Sequence, residues 1–311
     1  MDAAPRTTKC NIARMRLAAA FADPRLFQIF ALGVLLASGV FFRDFSLRTV
    51  QIVLTFAAGL LAQRLSWRFS PPKCRSYRSA IITSLSLALL LRADNLFAHP
   101  IAAAAAIGSK SCIRFRGKHL FNPATFGLIL ALLAIPGTWV SPGQWGQDLA
   151  IAGWVIALGT MVTSRARRGD ISWTFLGFYL GALALRVLWL GQQWAVWAHQ
   201  LTNGALLLFA FFMISDPMTG PNHRYGRIAH AALTAAIAYQ WQFRFYAFNG
   251  LIWALFFAAA AVPLWDAIWP APKFEWVFQA RGGSDETLNH ADDAGVDVRA
   301  DSRVRGSLEA A

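Results

Sequence analysis

The sequence predicts an all-α integral membrane protein with about ten transmembrane helices. Three observations lead to this prediction: 56% of the 311 residues are hydrophobic, only 14% are charged, and the apolar residues come in long runs. A soluble domain carries about 25% charged residues, whereas a helix needs roughly 20 consecutive apolar residues to cross a bilayer. Because lipid offers no hydrogen bonds to the backbone, repeated runs of this length must form helices.

The apolar runs define ten candidate spans. They cover residues 26–42, 47–63, 79–92, 95–109, 122–140, 147–164, 173–190, 197–214, 228–243 and 247–266. The segments between them alternate in charge: nineteen Lys and Arg residues fall on one side of the predicted bundle and four on the other. Since cytoplasmic loops carry the excess of basic residues, we predict a multi-pass protein with both termini in the cytoplasm.

Composition divides the chain into three regions. Residues 1–25 form a basic cytoplasmic N-terminus, residues 26–273 the membrane domain, and residues 274–311 a polar cytoplasmic tail. The tail has too few apolar side chains to offset the entropy of ordering, so we predict that it is disordered. The net charge of +13 is spread over short loops. We therefore predict the lipid bilayer, and no nucleic acid, as its partner.

Two short motifs combine an Asn or Asp with a following proline. The first is KHLFNPATFG (118–127) and the second is FFMISDPMTGP (211–221). An Asn or Asp side chain can cap the free amides of a helix, and Pro favours the first helical position. Asn122 and Asp216 are therefore predicted to begin helices at the cytoplasmic face, where a helix N-terminus can hold an anion or a cofactor edge. Simple capping, shortened to a turn by Pro221, is the alternative.

Polar residues inside apolar runs are costly in a membrane and are candidates for function. The candidate cofactor-binding residues are Asn122, Thr125, Asn203, Asp216 and Thr219, with Arg224 and Arg227 as partners for an anion. A basic patch before the first motif, residues 114–119, suits anionic lipid, a flavin phosphate or an acidic partner protein. The three cysteines form no C-x-x-C pair, so no metal or iron–sulfur site is predicted. The echo between the two motifs allows two inverted five-helix repeats.

With these motifs the sequence resembles the RnfD/NqrB family over roughly residues 25–273. The resemblance rests on the two motifs above and on VPLWDAIWPAPKF (262–274), in the same order along the chain. It implies a ten-helix subunit of the bacterial inner membrane that carries electrons by flavin. It also implies exchange with quinone or partner membrane subunits of an electron transport complex, and coupling to Na⁺ or H⁺ movement.

One loop departs from the family pattern. Family members carry a large outer loop between the fifth and sixth spans, with a threonine to which FMN is esterified. Here that loop is SPGQWGQD (141–148), which contains no threonine. The resemblance therefore implies a short, UnbU-like branch in which any flavin, either FMN or riboflavin, is bound non-covalently.

The leading hypothesis is a membrane-embedded electron-transfer subunit that uses a flavin, a quinone or both. No residue of the chain is predicted to be catalytic, since the cofactor would carry the chemistry. The N-P-A triplet and the possible repeat allow a small-solute channel or transporter instead. The missing covalent flavin site allows a redox-inert membrane anchor for a partner enzyme.

Overall fold

The protein is described here from a computed structural model that covers residues 23–42, 47–69, 76–140, 149–201, 203–247 and 249–274. Its helices are α1 (Pro24–Phe42), α2 (Thr49–Ser66), α3 (Arg78–Leu90), α4 (Ala98–Cys112), α5 (Pro123–Ala134), α6 (Leu149–Arg165), α7 (Gly169–Leu190), α8 (Trp194–Leu201), α9 (Gly204–Leu208), α10 (Arg224–Arg244), α11 (Gly250–Ala259) and α12 (Val262–Ile268). The predicted N-terminal region and the predicted tail lie almost entirely outside the described residues.

Each of the ten predicted spans contains helix, which confirms the all-α membrane class. Within the described part of the chain, α1, α2 and α7 are long and apolar enough to cross a membrane by themselves. Two bent helix pairs, Trp194–Met213 and Gly250–Ile268, raise the number to five if each pair is one span. The number of ten spans and the inverted repeats stay predictions.

Close packing of small residues sets the position of α5. Helix α4 lies between α2 and α5, and Ala102, Ala103 and Ala106 on α4 are fully buried. A Cβ atom on Gly127 of α5 would lie 2.4 Å from the carbonyl oxygen of Ala102. The two backbones therefore approach closely, as helices in membranes commonly do at small residues, and this contact holds α5 against α4.

The predicted eighth span is interrupted. Helix α8 ends at Leu201, and α9 begins after Asn203, whose side-chain oxygen accepts hydrogen bonds from the amides of Ala205 (3.0 Å) and Leu206 (3.3 Å). The helix continues through a π-helical segment, Phe209–Met213, of the kind that recurs at functional sites. The sequence predicts one continuous span here because the residues on both sides of the break are apolar. The structure shows that Asn203 instead caps and starts a new helix within this apolar run.

Two small antiparallel sheets modify the prediction of a wholly helical chain. Strand β1 (Leu91–Ala93) pairs with β4 (Thr138–Val140), and β2 (Arg114–Phe115) pairs with β3 (Lys118–His119). The second pair is a tight hairpin whose two turn residues, Arg116 and Gly117, have φ angles of +48° and +81°. Positive φ at both positions matches the right-handed twist of the strands.

Candidate functional site

The first Asx-Pro motif begins a helix, as predicted. Asn122 has an extended backbone, Pro123 occupies the first turn of α5, and the Asn122 side-chain oxygen accepts a hydrogen bond from the amide of Thr125 at 3.2 Å. The same Asn122 side chain also makes contacts outside α5. Its amide nitrogen donates to the carbonyl oxygen of Met213 at 3.3 Å and to Oδ2 of Asp216 at 3.4 Å.

The second motif forms a turn, and the prediction that Asp216 begins a helix is wrong. Oδ1 of Asp216 accepts from the amide of Met218 at 3.0 Å, and Oδ2 accepts from the hydroxyl of Thr219 at 3.2 Å. Pro221 follows too closely for a helix to continue, and the next helix, α10, begins after His223. The two motifs nevertheless meet directly, so both lie at the same end of the helix bundle.

We call the contact of Asn122 with Asp216 the Asx junction. Burial raises the pKa of the Asp216 carboxyl, while its hydrogen bonds from Met218 and Thr219 and the charges of Lys110 and Arg168 oppose that shift. Lys110 is itself buried. Its ammonium donates to the carbonyl and hydroxyl oxygens of Ser79 at 3.2 and 2.9 Å and to the hydroxyl of Thr83 at 3.0 Å.

Charged side chains clamp the loop that leaves the junction. Arg227 forms an ion pair with Asp170 at 2.6 Å and donates to the carbonyl oxygen of Asn222 at 2.6 Å. Arg168 donates to the carbonyl oxygen of Pro221 at 3.1 Å. Burial, followed by the charge of Arg227, lowers the pKa of Arg168 to about 10. Arg168 therefore remains charged at neutral pH.

A third ion pair ties this loop to α12. The ammonium of Lys118 lies 2.9 Å from Oδ2 of Asp266 and donates to the side-chain oxygen of Asn222 at 3.3 Å. The backbone amide of Asn222 donates to Oδ1 of Asp266 at 2.9 Å. Burial lowers the pKa of Lys118, and the hydrogen bond to Asp266 opposes that shift.

Only part of the predicted set comes together. Asn122 and Asp216 form the Asx junction, and Thr125 and Thr219 donate hydrogen bonds to these two side chains. Asn203 caps the opposite end of the helical rod that leads to Asp216, and ten residues of helix separate the two. Arg227 is paired with Asp170, and Arg224 lies exposed at the start of α10. The structure therefore brings four of the seven predicted residues together, and their role in cofactor binding stays a prediction.

The hairpin formed by β2 and β3, residues 114–119, borders a pocket that sequence reasoning missed. The pocket has a volume of about 160 Å³ and lies between this hairpin and residues 262–273. Its lining consists of Phe115, Arg116, Lys118, His119, Leu120, Asn222, Val262, Pro263, Asp266, Pro270, Ala271 and Lys273. From the sequence, the basic residues of this segment suit anionic lipid, a flavin phosphate or an acidic partner, but neither the hairpin nor the pocket is predicted. The F-R-G-K sequence, with Gly in a two-residue turn, is the signal for the hairpin.

Several buried polar atoms near these features have no hydrogen-bond partner within the described residues. They are Oγ1 of Thr125 on α5, Nδ1 of His119 on the hairpin and Nε1 of Trp265 on α12. Buried polar groups are normally paired, so these atoms suit a polar ligand.

A typical ligand pocket has a volume of roughly 300–1,000 Å³. The hairpin pocket can therefore enclose a quinone ring or one end of a flavin cofactor, but not the whole of FMN.

Comparison with known proteins identifies a family for part of the chain. Residues 146–274 match the model of the NQR2, RnfD, RnfE family. The match begins three residues before α6 and ends after α12, so it contains Asp216, Thr219, Asp266 and Lys273 but not Asn122. No curated protein matches the chain. The match contains the second and third of the three motifs, so it supports the resemblance to the RnfD/NqrB family over this part of the chain.

Proposed function

We propose that this chain, whose residues 146–274 match the model of the NQR2, RnfD, RnfE family, is a membrane-embedded electron-transfer subunit. It passes electrons through a non-covalent flavin, a quinone or both, and it works with other membrane subunits of an electron transport complex. The proposal extends to a bacterial inner membrane, with the Asx junction at the cytoplasmic face, and to coupling with Na⁺ or H⁺ movement.

The observation that carries the proposal is the Asx junction itself. The D-P-x-T turn, which lies in the family-matched segment, rests on the start of α5 through the bond from Asn122 to Asp216. This contact joins residues 94 positions apart in the chain. It joins the first turn of α5, where the hydroxyl of Thr125 is buried and unpartnered among the described residues, to a turn that is fixed by at least three hydrogen bonds. Rigid support of this kind is what a positioned cofactor requires.

The residues present would divide the work between support and contact. Asn122 and Asp216 use their polar atoms on each other, so they hold the backbone in place. Thr125, His119 and Trp265 have polar atoms left for a ligand. Burial, followed by the charges of Arg114 and Lys110, lowers the pKa of His119 to about 4, so its ring is neutral at pH 7. A bound flavin or quinone would supply the redox chemistry, and these neutral groups would orient it.

Purification in a mild detergent tests the proposal. The expected result is a flavin or quinone absorbance that co-purifies with the protein, together with the same compound in mass spectra of an organic extract. A colourless protein whose extract contains neither compound contradicts the proposal. Liposomes that contain the protein separate the other two functions: solute flux without a redox cofactor indicates a channel, and neither activity indicates an inert anchor.

The proposed orientation can be tested at Cys112, which is exposed at the end of α4. A variant that keeps only this cysteine should react with a membrane-impermeant thiol reagent in inverted vesicles and not in intact spheroplasts. The opposite pattern would place the Asx junction at the outer face and overturn the cytoplasmic assignment.

A further inference from the structure

We propose that the hairpin pocket is a binding site for an anionic phosphate ester, with the phosphate between the basic side chains and the apolar part of the ligand directed toward the bilayer. The proposal does not depend on electron transfer. An anionic phospholipid and the phosphate end of a flavin phosphate share the required chemistry, and the experiment below separates these two sources.

The charges of the pocket favour an anion. Arg116, Lys118 and Lys273 line it with three positive charges, and Asp266 contributes one negative charge. The ion pair between Lys118 and Asp266 leaves Arg116 and Lys273 as an excess of two positive charges. This excess matches a phosphate monoester and exceeds the single charge of a phosphodiester. Arginine also offers a planar set of donors that fits phosphate oxygens.

The backbone at Arg116 gives a second, independent observation. Arg116 has a φ of +48°, in the left-handed region where a non-glycine residue costs roughly 1 kcal/mol. Two-residue hairpin turns of this type strongly prefer Asn followed by Gly. An arginine at this position is therefore unfavourable for the turn, and its side chain offers a functional reason for its presence.

The ammonium of Lys273 ties the chain after α12 to the turn of the hairpin. It donates to the carbonyl oxygen of Arg116 at 2.6 Å, so two cationic residues from distant parts of the sequence line the pocket next to each other. An ammonium has three N–H donors, which leaves donors on Lys273 for a ligand. The proposed site therefore draws its charge from both sides of the pocket.

The walls of the pocket suit an amphiphile. Phe115, Val262 and Pro263 contribute apolar surface. The stacked rings of Trp265 and Trp269 lie on and just after α12, and tryptophan favours the boundary between lipid and water. The volume of about 160 Å³ is small for a whole cofactor but sufficient for a head group whose remaining part lies outside.

The experiment compares two variants of the full chain that change the same residue type in the same backbone conformation. Arg116→Asn removes the charge from the pocket and suits the hairpin turn better. Arg167→Asn is the matched control, because Arg167 also has a positive φ, +51°, and is exposed, but does not line the pocket. Both variants lose one charge and relieve the same backbone strain.

Binding is measured in nanodiscs by two matched pairs of probes. The first pair is FMN and riboflavin, which differ by the phosphate. The second is phosphatidylglycerol and phosphatidylcholine, added to the nanodisc lipid and followed by native mass spectrometry. We expect one member of a pair, FMN or phosphatidylglycerol, to bind preferentially. Arg116→Asn should weaken that binding by about tenfold or more, the loss expected for one charge-assisted hydrogen bond, and Arg167→Asn should weaken it less than about twofold.

Each result decides the proposal. A preference for FMN that Arg116→Asn removes supports a soluble phosphate as the source, and a preference for phosphatidylglycerol that it removes supports a lipid. No preference in either pair overturns the proposal. Equal losses in the two variants also overturn it, because they would show an effect of overall charge. Thermal unfolding of both variants at or above the wild-type temperature shows that a loss of binding is not a loss of fold.

Discussion

The Asx junction and the hairpin pocket lie at the same end of the bundle, yet they use their polar atoms in opposite ways. At the junction, the carboxylate of Asp216 and the amide of Asn122 satisfy each other and the neighbouring backbone. In the hairpin pocket, which has a volume of about 160 Å³, Arg116 and Lys273 contribute positive charge to the lining. The more recognisable motif therefore uses its polar atoms within the fold, whereas the phosphate site that we propose lies at a hairpin that is less recognisable in the sequence.

If the Asx junction holds the fold in place, substitutions in the helix packing next to it should cause the largest loss of stability. Gly127→Val would force side-chain atoms against the Ala102 carbonyl, because even a single Cβ atom at position 127 would lie 2.4 Å from that oxygen. We expect a loss of roughly 3 kcal/mol in unfolding free energy, at the upper end of overpacking effects. Thermal unfolding in detergent, followed by tryptophan fluorescence, measures it.

A matched control for that variant is Gly108→Ala on the neighbouring helix α4. No atom lies within 4 Å of a Cβ at that position, and Ala favours a helix over Gly by up to about 1 kcal/mol. Gly108→Ala should therefore be neutral or stabilising. Equal losses in the two variants would show that α4–α5 proximity does not matter for stability.

Two asparagine caps sharpen the contrast between support and simple capping. Asn122→Ala removes the cap of α5 and also the hydrogen bonds that the Asn122 amide donates to Met213 and Asp216, so we expect a loss of about 2 kcal/mol. Asn203→Ala removes a cap alone, and its expected loss is about 1 kcal/mol. Chemical unfolding of both variants under identical conditions provides the comparison. A loss for Asn122→Ala no larger than that for Asn203→Ala would show that the bond from Asn122 to Asp216 adds nothing to the stability that the cap provides.

The pH dependence of stability should depend on Asp216. Its pKa is raised in the folded protein, so the folded state binds the proton more tightly than the unfolded state does. Protonation of Asp216 therefore stabilises the folded state, and this stabilisation is fully present at low pH. It is lost as the pH rises from the ordinary aspartate value, 3.8, through the raised one. Asp216→Asn should abolish this loss and flatten the profile in unfolding experiments across the acidic range. An unchanged profile would show that Asp216 does not titrate in that range.

The smallest expected effect lies in the pocket, and it has the opposite sign. Arg116→Asn should leave stability unchanged or raise it by up to about 1 kcal/mol, because Asn tolerates a positive φ better than Arg. The thermal unfolding temperature of the variant measures this effect. A clear destabilisation would indicate that Arg116 supports the hairpin, and the pocket would then resemble the junction.

Local rules explain what could be predicted from the sequence. The Asn122 cap follows from two adjacent residues, and the ten helical segments follow from apolar runs. The break before Asn203 was missed because the run is apolar on both sides of it. The ion pair of Lys118 with Asp266, which joins residues 148 positions apart, depends on how distant helices pack. The turn of the hairpin follows from the local F-R-G-K sequence, but the pocket also needs residues 262–273, and no local pattern brings these two parts of the chain together.

The central claim, electron transfer through a bound cofactor, is tested most directly by an anaerobic reductive titration of the gently purified protein. The account predicts an absorbance band of bound flavin or quinone that disappears on reduction and returns on oxidation. Arg167→Asn should behave like the wild type in the same titration. A protein that retains its fold by thermal unfolding but shows no reversible absorbance change would contradict the account.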